Sequence, residues 1–308
     1  MTDFEIEMLQ RFRQTIADFP TAGDLDAMSV MRSGVERQIG QLESSVAPRL
    51  DAILTGPAVE GHKIDVKFLV SALAPLQEAV TAIGQALDFT ATSRAPVPGA
   101  VRDVTSMKLA ATFAGSFGLR LEGPTTELEE QVELDLAGSG PTRSTFERSV
   151  ETLFDAIDAA EEDNYEENVR AVMSKMGRRG VVHLRALAVQ FSSSTNRMTL
   201  VSTSGAEERR TVIARTVAER IATVADATEM QDVETRVRGR LVGASLARKT
   251  FELETEDETL IKGSVGPNAL GYLSRYLDTE CVALLNVTSA TSRIDGSASP
   301  SYLLLSLE

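Results

Sequence analysis

The last quarter of the chain, residues 233 to 308, shows a change of periodicity that few folds can satisfy. Val237, Gly239 and Leu241 alternate with Arg236, Arg238 and Arg240, and Phe251 and Leu253 alternate with Glu252 and Glu254. A charged turn at Glu256 to Glu258 leads into Leu260 to Val265. Side chains along a strand point to opposite faces in turn, so each run presents one apolar and one polar face. Pro267-Asn268 opens a short helix carrying Leu270, Leu273 and Leu277, because proline fits a first helical turn where its missing N–H is not needed. Two further apolar runs follow, Val282 to Val287 and Tyr302 to Leu307.

Three strands, a helix and two strands is the element order of an OB-fold, a partly open five-stranded barrel that hosts many unrelated functions. The spacing therefore predicts an OB-like five-stranded β-barrel over 231–308. For the whole chain the expected class is α+β, with helical N-terminal and middle regions and a small α/β unit before the barrel. The expected boundaries are N-terminal helices over 1–50, an α/β unit with a hairpin over 51–140 and a helical middle region over 141–230.

The N-terminal reading rests on two stripes. Phe4, Met8, Phe12, Ile16 and Phe19 recur every three or four residues until Pro20, and Met28, Val35 and Leu42 recur every seven. Together they suit an intersubunit helix pair, so self-association is expected through them. From Leu50 the chain reads as extended, and Ile64, Val66 and Phe68 alternate with Lys63, Asp65 and Lys67 as in a strand. A helix follows with Leu69, Leu73, Leu76, Val80, Ile83 and Leu87 on one stripe. Met107 to Phe113 and Phe117 to Leu121 form a hairpin through Gly115-Ser116, and Leu128 to Leu136 adds an edge strand. Ser144 with Glu147 is a capping box for a helix burying Phe146, Val150, Leu153 and Ile157. A second helix starts near Asn164 and is interrupted at Gly177-Arg178-Arg179-Gly180. After a strand at Met198 to Val201, a last helix carries Ile213, Val217, Ile221 and Val224.

Charge narrows the function classes. The net charge is −14, and residues 122 to 167 hold fifteen acids against only Arg143 and Arg148. The overall sign argues against general attraction to phosphate backbones, so any nucleic-acid contact has to be local. The acidic block is a candidate surface for a basic protein partner, with Glu129, Glu130 and Glu133 as its test residues. Met1-Thr2-Asp3-Phe4-Glu5 has no basic region leading into an apolar block, Cys281 is alone, and Gln77, Glu78 and Gln85 interrupt the longest apolar helix. A soluble, cytoplasmic protein with no membrane contact is the expectation.

Chemistry-bearing motifs are sparse. His62 and His183 are the two histidines, and His183 has no Cys, Asp or Glu at metal-ligand spacing. No phosphate loop and no Gly-flanked serine elbow occurs. No cofactor or metal is expected. Asp51, Glu60, Asp65 and Lys67 form one alternative, a metal-dependent nuclease site with Asp65 and Lys67 on one strand face. Arg236, Arg238, Arg240, Arg248 and Lys249 form another, a patch through which the barrel holds nucleic acid, unless Glu252, Glu254, Glu256, Asp257 and Glu258 pair with the arginines across the sheet. The favoured expectation is a non-catalytic protein-interaction or scaffold subunit of a homo-oligomer or larger complex, with an accessory role in bacterial defence as its suggested setting. Its contact residues are Phe4, Met8, Phe12, Met28, Val35 and Leu42 in the helices and the three glutamates of the acidic block.

Overall fold

The computed structural model describes residues 47–88, 96–113, 116–124, 143–204, 207–246 and 248–308. The N-terminal stripes, the edge strand at Leu128 to Leu136 and Glu129, Glu130 and Glu133 lie outside the described residues.

Arg49–Thr55 (β1) is the centre of the first sheet, because Leu50, Ala52 and Leu54 all turn one face into the core and are fully buried. After β1 come a two-residue hairpin, Val59–Glu60 (β2) with Lys63–Ile64 (β3), and a long helix, Val66–Asp88 (α1). A short helix, Gly99–Asp103 (α2), precedes the hairpin of Lys108–Phe113 (β4) and Phe117–Glu122 (β5). Two helices, Thr145–Ala159 (α3) and Tyr165–Ser192 (α4), lead to a second hairpin, Arg197–Ser204 (β6) with Glu207–Ile213 (β7). The sheet runs β4-β5-β1-β6-β7, antiparallel throughout. Strands from residues 49–122 and 197–213 thus share one sheet. With α1, α3, α4 and Arg215–Ala227 (α5) they enclose a single core from Leu50 to Ala225.

The hairpin of β4 and β5 and the capping box form where expected. Ser144 Oγ accepts from the Glu147 N–H, while the Glu147 carboxylate accepts from the Ser144 N–H. Two readings change. Val66 and Phe68 are helical, not extended, because Asp65 accepts the Phe68 N–H at 2.9 Å and so caps α1. Ile213 ends a strand instead of starting the last helix. Its alternation with Thr211 buries both residues toward the helices, which a helical stripe that includes Ile213 conceals.

By length and composition α1 is long and apolar enough to cross a membrane. In this fold it is the core helix: residues 79–85 are buried on every side, between the sheet and the other helices. It runs antiparallel to α4, with Phe68 edge-on to Phe191 at 5.8 Å, and a Cβ added at Gly177 would lie 3.1 Å from Ala86. The interruption in α4 is Gly177 itself, at φ 68° and ψ 165°, a region open essentially to glycine. Gly177→Ala should therefore cost about 1–3 kcal/mol in denaturant unfolding, whereas Gly180→Ala tests only local crowding against Met176. Equal losses at both positions would contradict a backbone cause.

The C-terminal strands close into a five-stranded ring of Thr228–Ser245 (β8), Thr250–Thr255 (β9), Leu260–Val265 (β10), Glu280–Ser292 (β11) and Ala298–Leu307 (β12). Neighbours run β10-β12-β11-β8-β9, and all pairs are antiparallel except β10 with β12. Two single-turn helices, Pro267–Leu270 (α6) and Leu273–Tyr276 (α7), stand between β10 and β11. Alternate residues fill a second, separate core around Leu241, Phe251, Leu253, Leu285 and Leu304. The parallel pair closes the ring at Ser264 and Val265, next to Gly263, where any Cβ would strike the Tyr302 carbonyl.

Candidate functional site

The arginine stripe of the ring is where sequence reasoning placed a cluster of positive charge. Arg236, Arg238 and Arg240 do project together from β8, as the period of two requires. Each meets an acid: Glu256 is among those expected, whereas the partners of Arg236 and Arg240 are not. Arg236 lies 3.8 Å from Glu308, Arg238 lies 3.8 Å from Glu256, and Arg240 Nε donates to Asp278 at 2.9 Å. Glu254 sits across from Arg240 in register, but Glu252 pairs with Lys262 at 2.7 Å. A bulge between Leu241 and Gly243 shifts the register of β8 against β9 at Glu252, and the ring brings sequence-distant acids closer. Of the aromatic side chains available for base stacking, Phe251 is core, Tyr276 lies under Arg275, and Tyr272 alone is well exposed.

Lys249 is turned away from that stripe. It sits in the left-handed region at φ 50°, in the loop between β8 and β9, and its Nζ lies 3.6 Å from Asp88 at the end of α1. Asp88 is only 1% exposed as a residue, and its carboxylate also receives Arg148 and Thr145 of α3. This one carboxylate therefore ties two helices of the first core to the ring. The loop between β11 and β12 is tied down as well. Buried Arg170 of α4 donates to Ser297 Oγ at 2.9 Å, and the Arg293 N–H donates to the Ala227 carbonyl at 2.8 Å. Within that loop Asp295 accepts from Ser297 and Ser292, and these hydrogen bonds hold its carboxyl well below the usual carboxylate range.

The residues of the nuclease alternative part company. Asp51 lies on the face of β1 away from the core, between Arg49 at 2.9 Å and Arg120 at 3.4 Å, and its hydrogen bond raises the Arg49 pKa. Glu60 is exposed on β2, Asp65 caps α1, and Lys67 is exposed in the first turn of α1 rather than on a strand. Among the described residues no group of His, Cys, Asp and Glu is placed to hold a metal ion. Cys281 is buried in the ring, and burial pushes its thiol pKa up, away from nucleophilic character.

His183 lies on α4, half-buried. Burial lowers its pKa, Glu78 opposes that shift, and Arg179 adds to it. A folded pKa below the unfolded 6.5 means that the unfolded chain binds more protons as pH falls below that value. Stability supported by neutral His183 is thus present above about pH 6.5 and is lost on acidification. His183→Gln should flatten the stability profile between pH 7 and 5, measured by urea unfolding. A slope identical to that of the unaltered protein would remove His183 from the account.

Sequence reasoning missed a cleft of about 310 Å³ between α3 and the β6–β7 hairpin. Its floor includes Val150 and Phe154, from the buried stripe of α3, and its walls carry Arg143, Glu147, Glu151, Ser202, Ser204, Glu208 and Arg209. Arg209 stands 5.6 Å over the Phe154 ring and bridges to Asp155 at 2.8 Å and to Asp158. Burial works against its charge, but the hydrogen bonds to Asp158 and Asp155 prevail and raise its pKa. Glu147 is held by Ser144 and Ser204, and Arg143 pairs with Glu151. Glu208 alternates with Arg209 and so stands on the other face of the sheet, in line with Thr203 and Arg49, where its charge adds to the Asp51 hydrogen bond in raising the Arg49 pKa. The α3 carboxylates of this cleft belong to the acidic block seen in the sequence, and only the return of β7 beside α3 makes a concavity of them. Comparison of the chain with protein-family models, with curated proteins and with solved structures finds no match.

Proposed function

We propose that this protein is a non-catalytic interaction subunit, cytoplasmic and self-associating, in which an OB-like barrel serves as a structural partner for the helical core. The barrel reading draws support from strand order. Numbered along the ring, the strands neighbour one another as 1-2-3-5-4-1, with the parallel pair at 3 and 5 and the helical segment between 3 and 4. In OB-folds that bind oligonucleotides, the face of strands 2 and 3 and the loops 1–2 and 4–5 grip the ligand. The observation that carries the proposal is that both corresponding loops here are docked on the protein's own helices, through Lys249 to Asp88 and through Ser297 to Arg170. Paired arginines on the neighbouring strand offer little net charge to a phosphate backbone.

Fluorescence anisotropy with short single-stranded DNA and RNA tests this on the full chain. No salt-sensitive binding is expected at physiological ionic strength, and replacing Arg236, Arg238 and Arg240 by Ala should change stability little, because exposed pairs are screened by solvent. Binding that falls steeply with salt and disappears in the triple variant would instead establish the nucleic-acid reading. Light scattering, with and without residues 1–47, tests self-association: a concentration-independent monomer would rule it out.

A further inference from the structure

We infer that the outer face of the first sheet is a docking surface for the N-terminal segment of the same chain, which covers it with the stripe of Phe4, Met8, Phe12, Ile16 and Phe19. The helices α1, α3, α4 and α5 share their core with Leu50, Ala52 and Leu54, on one face of β1. Ile53 points the other way, and strand pairing puts Phe113, Thr199, Val201 and Val212 on its side of the sheet. Ile53, Phe113, Val201 and Val212 are half-buried, and none belongs to either apolar core among the described residues. Gly118 lies between Ile53 and Phe113, and the Phe113 ring covers it. An apolar band thus crosses all five strands with no described element packed on it.

Three observations name the occupant. The first is position: the segment runs directly into β1, the central strand, and the residues from Pro20 to Pro48 can reach any point of the face even as helix, which rises about 1.5 Å per residue. The second is length. A helix over residues 4–19 is about 24 Å long at that rise, and five strands about 4.8 Å apart span about 19 Å, so one stripe crosses the band. The third is charge. Lys108, Arg49, Arg120, Arg197 and Arg210 on this face outnumber Asp51, Glu122 and Glu208, although the chain's net charge is −14. Residues 1–19 carry the complement, Asp3, Glu5, Glu7 and Asp18 against Arg11 and Arg13. A second copy laid face to face would instead oppose cation to cation. The inference goes beyond the interaction-subunit reading and does not rest on it, since Met28, Val35 and Leu42 remain for a partner subunit.

The test uses the full chain with Thr199→Cys, in the middle of the band, and the buried native Cys281 as an unreactive reference. The introduced thiol should react with a small maleimide about tenfold or more slowly than when Phe12→Asp is added, because modification then needs the segment to lift off. Met8→Cys combined with Thr199→Cys should be joined by a short bis-maleimide within one chain, and neither single variant should link. Equal labelling with and without Phe12→Asp would overturn the inference. A linked dimer would overturn it too, since the covering segment then comes from a second copy. If Phe12→Asp fails to fold, Arg210→Glu on the sheet face takes its place: labelling should rise severalfold with it and not with Lys175→Glu on α4, and the same rate in both would overturn the inference. Light scattering reads the other proposal separately. A concentration-independent monomer with a protected thiol defeats self-association and leaves this inference standing.

Discussion

Replacing Asp88 by Ala should lower the unfolding free energy by about 3–5 kcal/mol, the cost of stripping one partner from a buried ion pair. The loss comes chiefly from the cations left behind. Arg148 and Lys249 both approach this carboxylate, whose side chain is 2% exposed, and neither has another acid within ion-pairing distance among the described residues. Two consequences separate this cause from a simple packing defect. Adding Lys249→Met to Asp88→Ala should restore part of the stability, because one stranded charge is then removed. Limited proteolysis of Asp88→Ala should also gain a cut within residues 246–249, as the loop loses its attachment to α1. Strictly additive losses, or an unchanged digest, would show that Asp88 does not hold the ring to the helices.

Phe251→Ala should cost a similar amount, about 3–5 kcal/mol, but in a different part of the molecule. Phe251 is 1% exposed, lies in the ring's core and fills the space over Gly263 next to the parallel closure. The ring and the first sheet have separate hydrophobic clusters, so the variant should lose hydrogen-exchange protection in β8–β12 before β1 and β6. If protection falls equally in both sheets, the two cores unfold as one unit, and the Asp88 contact couples them more tightly than its few polar groups suggest.

Much of the fold was legible because its signals are local. Alternation over a few residues placed the ring strands, Gly115-Ser116 marked the hairpin, and the Ser144/Glu147 pair marked the start of α3. The failures were local ambiguities. Lys63 to Phe68 alternates like a strand, yet Asp65 is also a good helix cap, and the stripe beginning at Leu69 extends backward through it. Ile213 fits both a strand ending at that residue and the helical stripe that follows, and only pairing with β6 decides between them.

The candidate sites were less legible than the fold. That Arg236, Arg238 and Arg240 share a face follows from the strand period alone, but ring closure brings in Glu308 and Asp278, while Glu256 meets Arg238 through the β8–β9 register. Lys249 looked like part of the same patch because it is near in sequence, and its φ of 50° turns it toward a different layer. The acidic block was visible as composition, whereas its concavity depends on β7 returning beside α3.

The sequence by itself thus determined the ring's strand-and-helix order, the hairpin of β4 and β5, the capped start of α3 and the surplus of acid, since each follows from spacing, capping or charge within a short window. The tertiary structure decided which acids neutralise the stripe, which loops of the ring are docked and where the cleft lies. Those outcomes depend on contacts between residues as far apart as Asp88 and Lys249 or Arg170 and Ser297, and no local preference encodes such a meeting.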